Sequence, residues 1–270
     1  MLILLPPSEG KSAPESGPRL DMSGLLGASR LSPARQRAME ALKEVSASPQ
    51  AASFLGLGPR SAADAALNLS LESSACAPAH DLFSGVLYEA ARLSALARQD
   101  AAGGALAKHA VILSGLWGAV RATDLLPDHR LSMGRALPGL GRMSAYWKAP
   151  LAPVLDSLAA GRTVVDCRSA AYAAAWQPLA SLGITLLRVK AVAIDDQGGR
   201  AVISHQAKHT RGLLTGALLG AVAGGSLDPE CQAEDVARIA AGIDGVEDVE
   251  LGRADRRGRR DLTVLTRPGA

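Results

Sequence analysis

Cysteine is scarce in this sequence. The chain of 270 residues contains Cys76, Cys167 and Cys231, which lie far apart and form no C-x-x-C pair. An odd and widely spaced set argues against a disulfide framework and against a zinc site built on cysteines. The same set is typical of a reducing compartment, so we expect a cytoplasmic protein.

Long apolar runs are missing as well. The first apolar segment, residues 1–5, follows no basic region and stops at Pro6-Pro7, so it does not have the form of a signal peptide. No other segment approaches the roughly 20 apolar residues of a spanning helix, and we therefore expect no membrane partner. Aromatic residues make up only 3% of the chain, so Leu, Val and Ala must build the core.

Neither sign of charge dominates. Lys and Arg number 29 against 26 Asp and Glu, and the formal net charge of +3 permits a polyanionic partner without arguing for one. With 48% hydrophobic and 20% charged residues the composition is that of a folded protein rather than a disordered one. The length favours one or two domains.

A complete P-loop is also absent, although Gly10-Lys11-Ser12 matches its last three residues. The glycine required five positions before Gly10 is replaced by Leu5, and Pro14 stands where the following helix should run. These departures argue against a P-loop ATPase. We interpret the segment instead as a first strand that ends in a polar turn carrying Ser8, Glu9 and Lys11.

The hydrophobic pattern predicts an α/β protein with a mixed β-sheet flanked by helices and a C-terminal β-hairpin. Strands are predicted at 1–5, 111–113, 163–166, 184–194 and 200–205, with a Gly198-Gly199 turn before the last. Helices are predicted from Ser32-Pro33 onward, at 86–98 and at 206–222, and the terminal hairpin pairs 246–251 with 262–265. Because there is no repeat and no convincing linker, we expect a single domain spanning 1–270.

Basic residues gather at the predicted strand ends. Ligands usually bind where strands end, and several cations there would form a basic cleft suited to phosphate or carboxylate. Lys190 shares one face of its apolar strand with Arg188, a pair that needs either solvent or an anionic partner. The alternative is that each residue is an ordinary surface cation. The candidate anion- or nucleic-acid-binding residues are Lys11, Arg121, Arg130, Arg168, Lys190, Lys208 and Arg211.

Four residues are candidates for proton transfer or nucleophilic attack: Ser8, Glu9, Asp166 and Tyr172. No G-x-S-x-G elbow is present, so serine hydrolase chemistry lacks support. His205 and His209 are weak candidates for a metal site, because His205 is predicted at a strand end and Lys208 and Arg211 would repel a cation. We expect no metal and no cofactor. Asp128 and His129 are interpreted as part of a polar turn.

Several segments stand out in order along the chain: MLILLPPSEGK at the start, LFSGVLYEA (82–90), LSGLWGAVRATDLLPDHRLSMG (113–134), YWK (146–148), VVDCRSAAY (164–172), the strand containing Lys190, and ISHQAKHTRGLL (203–214). Together they resemble the YaaA peroxide-stress protein family. The resemblance implies a mixed α/β unit with a positively charged cleft, in a cytoplasmic protein that limits oxidative damage. DNA binding and lowered free iron are the implied routes. The residues carried over by this match are Lys11, Arg121, Arg130, Lys190, Lys208 and Arg211.

Three functions remain open at this stage. The first is a DNA-binding oxidative-stress protein that limits iron-driven damage. The second is an enzyme acting on a phosphorylated or nucleotide-like small molecule, with Lys11, Arg130 and Lys190 holding the anion. The third and weakest is direct iron binding by His205 and His209. The sequence does not decide whether a reaction is catalysed.

Overall fold

The computed structural model describes residues 1–195, 197, 199–201 and 203–267. Two positions in predicted elements, Gly198 in the turn and Val202 in the strand 200–205, lie outside these residues.

A mixed sheet of eight strands organises the fold. In the described part of the chain the strands are β1 (Leu2–Leu5), β2 (Cys76–Pro78), β3 (Ala110–Ser114), β4 (Gly118–Arg121), β5 (Leu125–Pro127), β6 (Ala136–Leu137), β7 (Gly141–Arg142), β8 (Thr163–Asp166), β9 (Thr185–Ile194), β10 (Arg200–Ala201), β11 (Val246–Leu251) and β12 (Arg259–Thr266). The sheet order is β11-β12-β9-β8-β1-β3-β4, with β10 also paired to β9. Two small antiparallel pairs, β2–β5 and β6–β7, lie apart from it.

Five neighbouring strands of the sheet, β12, β9, β8, β1 and β3, run parallel to one another. Both edges are antiparallel: β4 folds back on β3, and β11 forms the C-terminal hairpin with β12. Each residue of β1, β3 and β8 is buried. This is the expected state of parallel strands covered on both faces, and it explains why these strands are uninterrupted short apolar runs in the sequence.

Helices flank the sheet. They are α1 (Ala28–Ser46), α2 (Ala51–Leu55), α3 (Ala79–Leu82), α4 (Val86–Ala91), α5 (Leu93–Ala97), α6 (Asp100–His109), α7 (Met143–Tyr146), α8 (Lys148–Ala159), α9 (Ala170–Ala173), α10 (Ser204–Ala223) and α11 (Ala233–Ala241). Two 3₁₀ segments, Pro59–Ser70 and Ala180–Leu182, complete the set among the described residues. The α/β class, the mixed sheet and the C-terminal hairpin predicted from the sequence are confirmed.

Three predicted helix and strand boundaries are wrong. The first helix begins at Ala28, not at Ser32-Pro33, because Leu31 is buried in the core and Gly27 supplies a left-handed start at φ 62°. The helix predicted at 86–98 is two helices, since Arg92 has a φ of 53° and breaks the hydrogen-bond ladder. The strand predicted at 200–205 ends at Ala201, and α10 already begins at Ser204.

The longest helix, α10, packs closely against α4. Gly212 and Gly216 make this approach possible: a Cβ atom at Gly212 would lie 2.3 Å from the carbonyl oxygen of Leu87, and one at Gly216 would lie 2.8 Å from that of Ala91. No helix in the described residues is both long and apolar enough to cross a membrane.

A buried arginine ties α1 to the turn between β3 and β4. Arg35 is fully buried, and its guanidinium donates to the carbonyl oxygens of Trp117 at 3.0 Å, Ala119 at 2.8 Å and Leu26 at 2.7 Å. Burial lowers the pKa of Arg35 to about 10, with Asp124 opposing the shift. The guanidinium of Arg35 therefore binds backbone carbonyl groups and has a structural role.

Candidate functional site

The site candidates gather at the carboxyl ends of the parallel strands. The chain passes from β1 to β3 on one side of the sheet, whereas β8 on the other side leads to β9. Where neighbouring connections diverge in this way, a crevice opens outside the carboxyl ends of the two strands. The segment 6–11 after β1 and the segment 167–172 after β8 both lead into this crevice.

The loop 6–11 is bound by residues 83–88, which include the start of α4. Tyr88 donates its hydroxyl proton to the carbonyl oxygen of Pro6 at 2.8 Å, and the backbone N–H of Ser84 donates to that of Gly10 at 3.0 Å. Lys11 pairs with Phe83 in an isolated antiparallel bridge. Ser8 lies over Gly85, where a Cβ atom would be 3.0 Å from its Oγ. The glycine, at φ 109°, thus allows the loop to come this close.

One cavity lies on the crevice itself and is called here the switch-point cavity. Its volume is about 480 Å³, and the side chains relevant to chemistry on its wall are Ser8, Glu9, Tyr88, Ser169, Tyr172, Lys208 and Arg211. These residues come from four places that are distant in sequence: the loop after β1, α4, the turn after β8, and the first turns of α10. The sheet topology therefore brings together five of the predicted site residues, Ser8, Glu9, Tyr172, Lys208 and Arg211.

The two cations of this cavity sit on one face of α10, three residues apart. Arg211 is half-buried and donates from Nη2 to the carbonyl oxygen of Val189 at 3.0 Å, which anchors its guanidinium to β9. Lys208 is exposed. A fixed guanidinium beside a mobile ammonium is a combination suited to an anionic ligand, because one sets geometry and the other supplies charge.

The two tyrosines of the switch-point cavity remain protonated at neutral pH. Burial raises the pKa of Tyr172 to about 12, and it also raises the pKa of Tyr88 well above its ordinary value. The Tyr88 hydroxyl already donates to Pro6, whereas the Tyr172 hydroxyl accepts from the N–H of Met133 at 3.4 Å and keeps its own proton for donation. Tyr172 is therefore a hydrogen-bond donor and a poor general base.

A second cavity lies on the other side of the same loop and is called here the Lys11 cavity. It measures about 240 Å³, shares Pro7, Ser8 and Glu9 with the first, and is also lined by Lys11, Phe83, His129, Arg130, Arg135 and Asp64, among others. Loop 6–11 is thus a wall common to both cavities.

Arg130 is fixed within this second cavity by two carboxylates. Its Nε donates to Asp64 at 3.0 Å and its Nη1 to Asp128, while its backbone N–H is bound by the side chain of Asn68 at 2.8 Å. Arg135 is exposed, and its guanidinium crosses Gly56 so closely that a Cβ atom there would be 1.7 Å away. The cavity thus contains one largely neutralised guanidinium and one that reaches toward solvent.

The ammonium group of Lys11 lies in this cavity without a carboxylate partner among the described residues. Its Nζ lies 5.6 Å from the centroid of the Phe83 ring and 3.5 Å from the carbonyl oxygen of Glu9. Burial, reinforced by the charge of Arg130, lowers the pKa of Lys11 to about 8. A substantial fraction of this amine is therefore neutral near physiological pH.

His129 lines the same cavity, and sequence reasoning placed it only in a polar turn. Its Nδ1 lies 2.9 Å from the carbonyl oxygen of Pro127, so we assign the proton to Nδ1 and leave Nε2 as an acceptor. Burial, followed by the charge of Lys11, lowers the pKa of His129 to about 3. A single histidine in a loop gives no signal of such burial, which depends on the packing of Trp117 and Phe83 against its ring.

We expect acid to destabilise the fold through His129. Its imidazole titrates near 6.5 when unfolded and at about 3 when folded, so below pH 6.5 the unfolded chain takes up the proton first. The free energy of unfolding should then fall by up to about 1.4 kcal/mol per pH unit from this residue. In His129→Gln, the free energy of unfolding measured by urea titration should fall less between pH 7 and pH 5 than it does in the wild type. The exposed His205→Gln serves as control, and an equal pH slope in both variants would contradict the assignment.

Two of the predicted site residues form a buried pair. Arg168 binds both oxygens of Asp166, with Nε at 2.7 Å and Nη2 at 2.8 Å, and its Nη1 donates to the carbonyl oxygen of Trp176 at 3.2 Å. Both side chains are almost completely buried. The pair fixes the turn after β8, and its charges are already matched to each other.

The structure places Arg121 and Lys190 away from both cavities. Because β4 runs antiparallel to β3, Arg121 lies beside Val111, near the start of β3 and at the opposite end of the parallel strands from Lys11. It is paired there with Asp124 at 3.2 Å. Lys190 lies in the middle of β9 and, with Arg188, binds Asp261 of β12. The anionic partner expected for this pair of cations is thus supplied within the chain.

The histidine pair lies on α10, so the prediction that His205 stands at a strand end is wrong. His205 and His209 are one turn apart on the helix, with His205 exposed and His209 half-buried. Among the described residues no group of three or more His, Cys, Asp and Glu side chains is arranged to hold a metal ion.

Comparison with known proteins identifies the family. Residues 1–223 match the family described as peroxide stress protein YaaA. The chain belongs to the YaaA family. A UPF0246 protein of Streptomyces coelicolor is 42% identical over 81% of this chain and 83% of its own length. UPF0246 proteins of Corynebacterium glutamicum and Corynebacterium efficiens are 35% and 34% identical, covering 79% and 94% of this chain and 83% and 98% of their own lengths.

The YaaA match includes all of the residues that line the two cavities. It ends at residue 223, the last residue of α10, so α11 and the β11–β12 hairpin follow it. The similarity to the Corynebacterium efficiens protein, by contrast, extends over 258 residues. The candidate site is therefore part of the family's common region.

Proposed function

We propose that this YaaA-family protein binds the phosphate group of a nucleotide unit in the switch-point cavity, and that this binding underlies a role in peroxide stress. The observation that carries the proposal is the meeting of Lys208 and Arg211 with the polar loop after β1, at the crevice between β1 and β8. Sites in this position of an α/β sheet commonly bind ligands. A charged ligand there would contact side chains from three separate segments.

The balance of charge supports an anion. Five cations line the two cavities, against two carboxylates. The cations are Lys11, Arg130, Arg135, Lys208 and Arg211, and the carboxylates are Glu9 and Asp64. Asp128 further neutralises Arg130 in the Lys11 cavity. The switch-point cavity has two cations against Glu9 alone, and it is the better place for a phosphate.

The same chemistry allows two sources of ligand, a free nucleotide and a nucleotide within a DNA strand. A volume of about 480 Å³ is in the usual range for one small-molecule ligand. It suits a single nucleotide unit rather than a length of duplex. On the DNA reading, the protein would bind DNA in the cytoplasm and limit iron-driven oxidative damage to it. We also propose that 1–270 is one domain, since strands from both ends of the chain share one sheet.

A reaction on the bound nucleotide is the second candidate function. Ser8, Glu9 and Tyr172 adjoin Lys208 and Arg211 on one cavity wall, an arrangement that offers a hydroxyl, a carboxylate and a proton donor beside an anion site. Asp166 is not included because Arg168 binds both of its oxygens.

The proposal is tested with the double variant Lys208→Ala/Arg211→Ala. We expect a loss of affinity of at least about tenfold, because two charge-assisted contacts to phosphate are removed. Thermal shift with nucleoside mono-, di- and triphosphates measures free ligands, and fluorescence anisotropy with single-stranded and duplex oligonucleotides over a salt series measures DNA. Arg19→Ala/Lys148→Ala removes the same charges from exposed positions outside both cavities and is the matched control.

Each outcome has a defined meaning. Equal binding by both double variants would overturn the proposal, as would the absence of binding by the wild type in both assays. Binding of DNA with a steep salt dependence, lost only in Lys208→Ala/Arg211→Ala, supports DNA as the source. Stabilisation by a free nucleotide without DNA binding supports a free nucleotide as the source instead.

A further inference from the structure

The amine of Lys11 lies in a small cavity without a carboxylate bound to it. Its contacts are the face of Phe83 and a 3.5 Å approach to the carbonyl oxygen of Glu9. The neighbouring carboxylates Asp64 and Asp128 are both bound by Arg130. Among the described residues, Lys11 thus forms no ion pair.

This arrangement favours the neutral amine, which is the nucleophilic form. With the pKa of Lys11 at about 8, roughly one-tenth of the side chain is neutral at pH 7, compared with about one part in three thousand for an ordinary lysine. An apolar wall and a neighbouring cation are the two usual means of activating a lysine toward carbonyl compounds. Here Phe83 supplies the wall and Arg130 the cation.

Other groups in the Lys11 cavity suit an anionic substituent on such a compound. Arg135 is exposed and borders the cavity beside Arg130, and Ser8, Ser61 and Ser132 place hydroxyls on its wall. At about 240 Å³ the cavity is half the size of the switch-point cavity, so its ligand must be small. A three-carbon compound bearing one phosphate meets both conditions.

We propose that Lys11 forms an imine with a small aldehyde or ketone that carries a phosphate group, and that Arg135 orients the phosphate. The neutral amine attacks the carbonyl carbon, forming the N–C bond, and a proton passes from nitrogen to oxygen through solvent to give a carbinolamine. Loss of the hydroxyl group as water, with the second amine proton, leaves the C=N bond. No oxidant or reductant takes part in this step.

The test uses the wild-type protein and its own lysines as internal references. Glyceraldehyde 3-phosphate is added at pH 7, imines are trapped with borohydride, and the modified lysines are located by peptide mass spectrometry. We expect Lys11 to be modified at least about tenfold faster than Lys148, which is exposed. The rate at Lys11 should rise with pH around an apparent pKa near 8. Labelling of Lys11 no faster than that of Lys148 would overturn the proposal.

The phosphate requirement is tested separately. Glyceraldehyde without phosphate should modify Lys11 several-fold more slowly than the phosphorylated compound. Arg135→Ala, at an exposed position, should remove this difference by slowing the reaction of the phosphorylated compound. If both compounds react equally with the wild type, the site is not specific for phosphate and this part of the proposal is wrong. Nucleotide binding to Lys208 and Arg211 is measured independently, so the two proposals can fail separately.

Discussion

Replacing Gly212 with alanine should destabilise this protein by about 3 kcal/mol or more. The added methyl carbon would lie 2.3 Å from the carbonyl oxygen of Leu87 and 2.8 Å from the Cβ of Ala90. Both contacts are far inside van der Waals distance, and the first is with backbone, so α10 must move away from α4. Overpacking of this kind costs roughly 1–3 kcal/mol even when neighbouring side chains can adjust. Chemical denaturation of both proteins measures the difference in the free energy of unfolding.

Gly220→Ala provides a matched control on the same helix. A Cβ atom at Gly220 meets no other atom within 4 Å, so the change should stabilise α10 by up to about 1 kcal/mol through helix propensity alone. If both alanine variants had similar stability, the close packing of α10 on α4 would be wrong. Because α10 also carries Lys208 and Arg211, Gly212→Ala should weaken ligand binding in the switch-point cavity as well.

The second large effect is expected for Arg35→Met. The variant keeps an unbranched side chain of similar length but removes the donors to the carbonyl oxygens of Trp117, Ala119 and Leu26. Each buried carbonyl left without a partner costs about 1–3 kcal/mol, and relief of the desolvated charge returns only part of this. We expect a net loss of about 3 kcal/mol in the free energy of unfolding, measured by urea titration.

Arg37→Met is the appropriate control for this variant. Arg37 lies two residues further along α1, is exposed, and makes a cation–π contact with Tyr146 at 5.7 Å. Its replacement should cost less than about 1 kcal/mol. A fully stable Arg35→Met protein would show that the turn between β3 and β4 does not depend on this guanidinium.

The sequence predicted the sheet well because its central strands are buried on both faces. Such strands leave uninterrupted apolar runs, as in β1, β3 and β8, and β1 and β8 are each followed by a polar turn. The loop carrying Ser8, Glu9 and Lys11 was predicted on this basis, whereas Lys208 and Arg211 were predicted to follow the strand 200–205.

Strand direction and the ion pairs formed between distant segments were harder to predict from the sequence. Arg121 follows the strand predicted at 111–113, but it is the last residue of the antiparallel strand β4, so it lies near the start of β3 rather than beyond its carboxyl end. Asp261, which binds Lys190, lies 71 positions away in the chain, and no local pattern connects the two. The burial of His129 and the neutralisation of Asp166 by Arg168 likewise depend on tertiary packing. Short-range periodicity carries no information about such contacts.

The C-terminal hairpin changes which strand borders the sheet. The region matched by the YaaA family ends at residue 223, and within it β9 would leave one side of its ten residues without a partner. Unpaired N–H and C=O groups on so long a strand would be a template for another copy of the chain. Instead β12 pairs with eight consecutive positions of β9, and β11 becomes the edge strand on this side of the sheet. There Glu247, Asp248 and Glu250 are exposed, and Arg267 and Arg200 bind Glu247 and Glu250. Charged side chains along an edge strand oppose aggregation through strand addition.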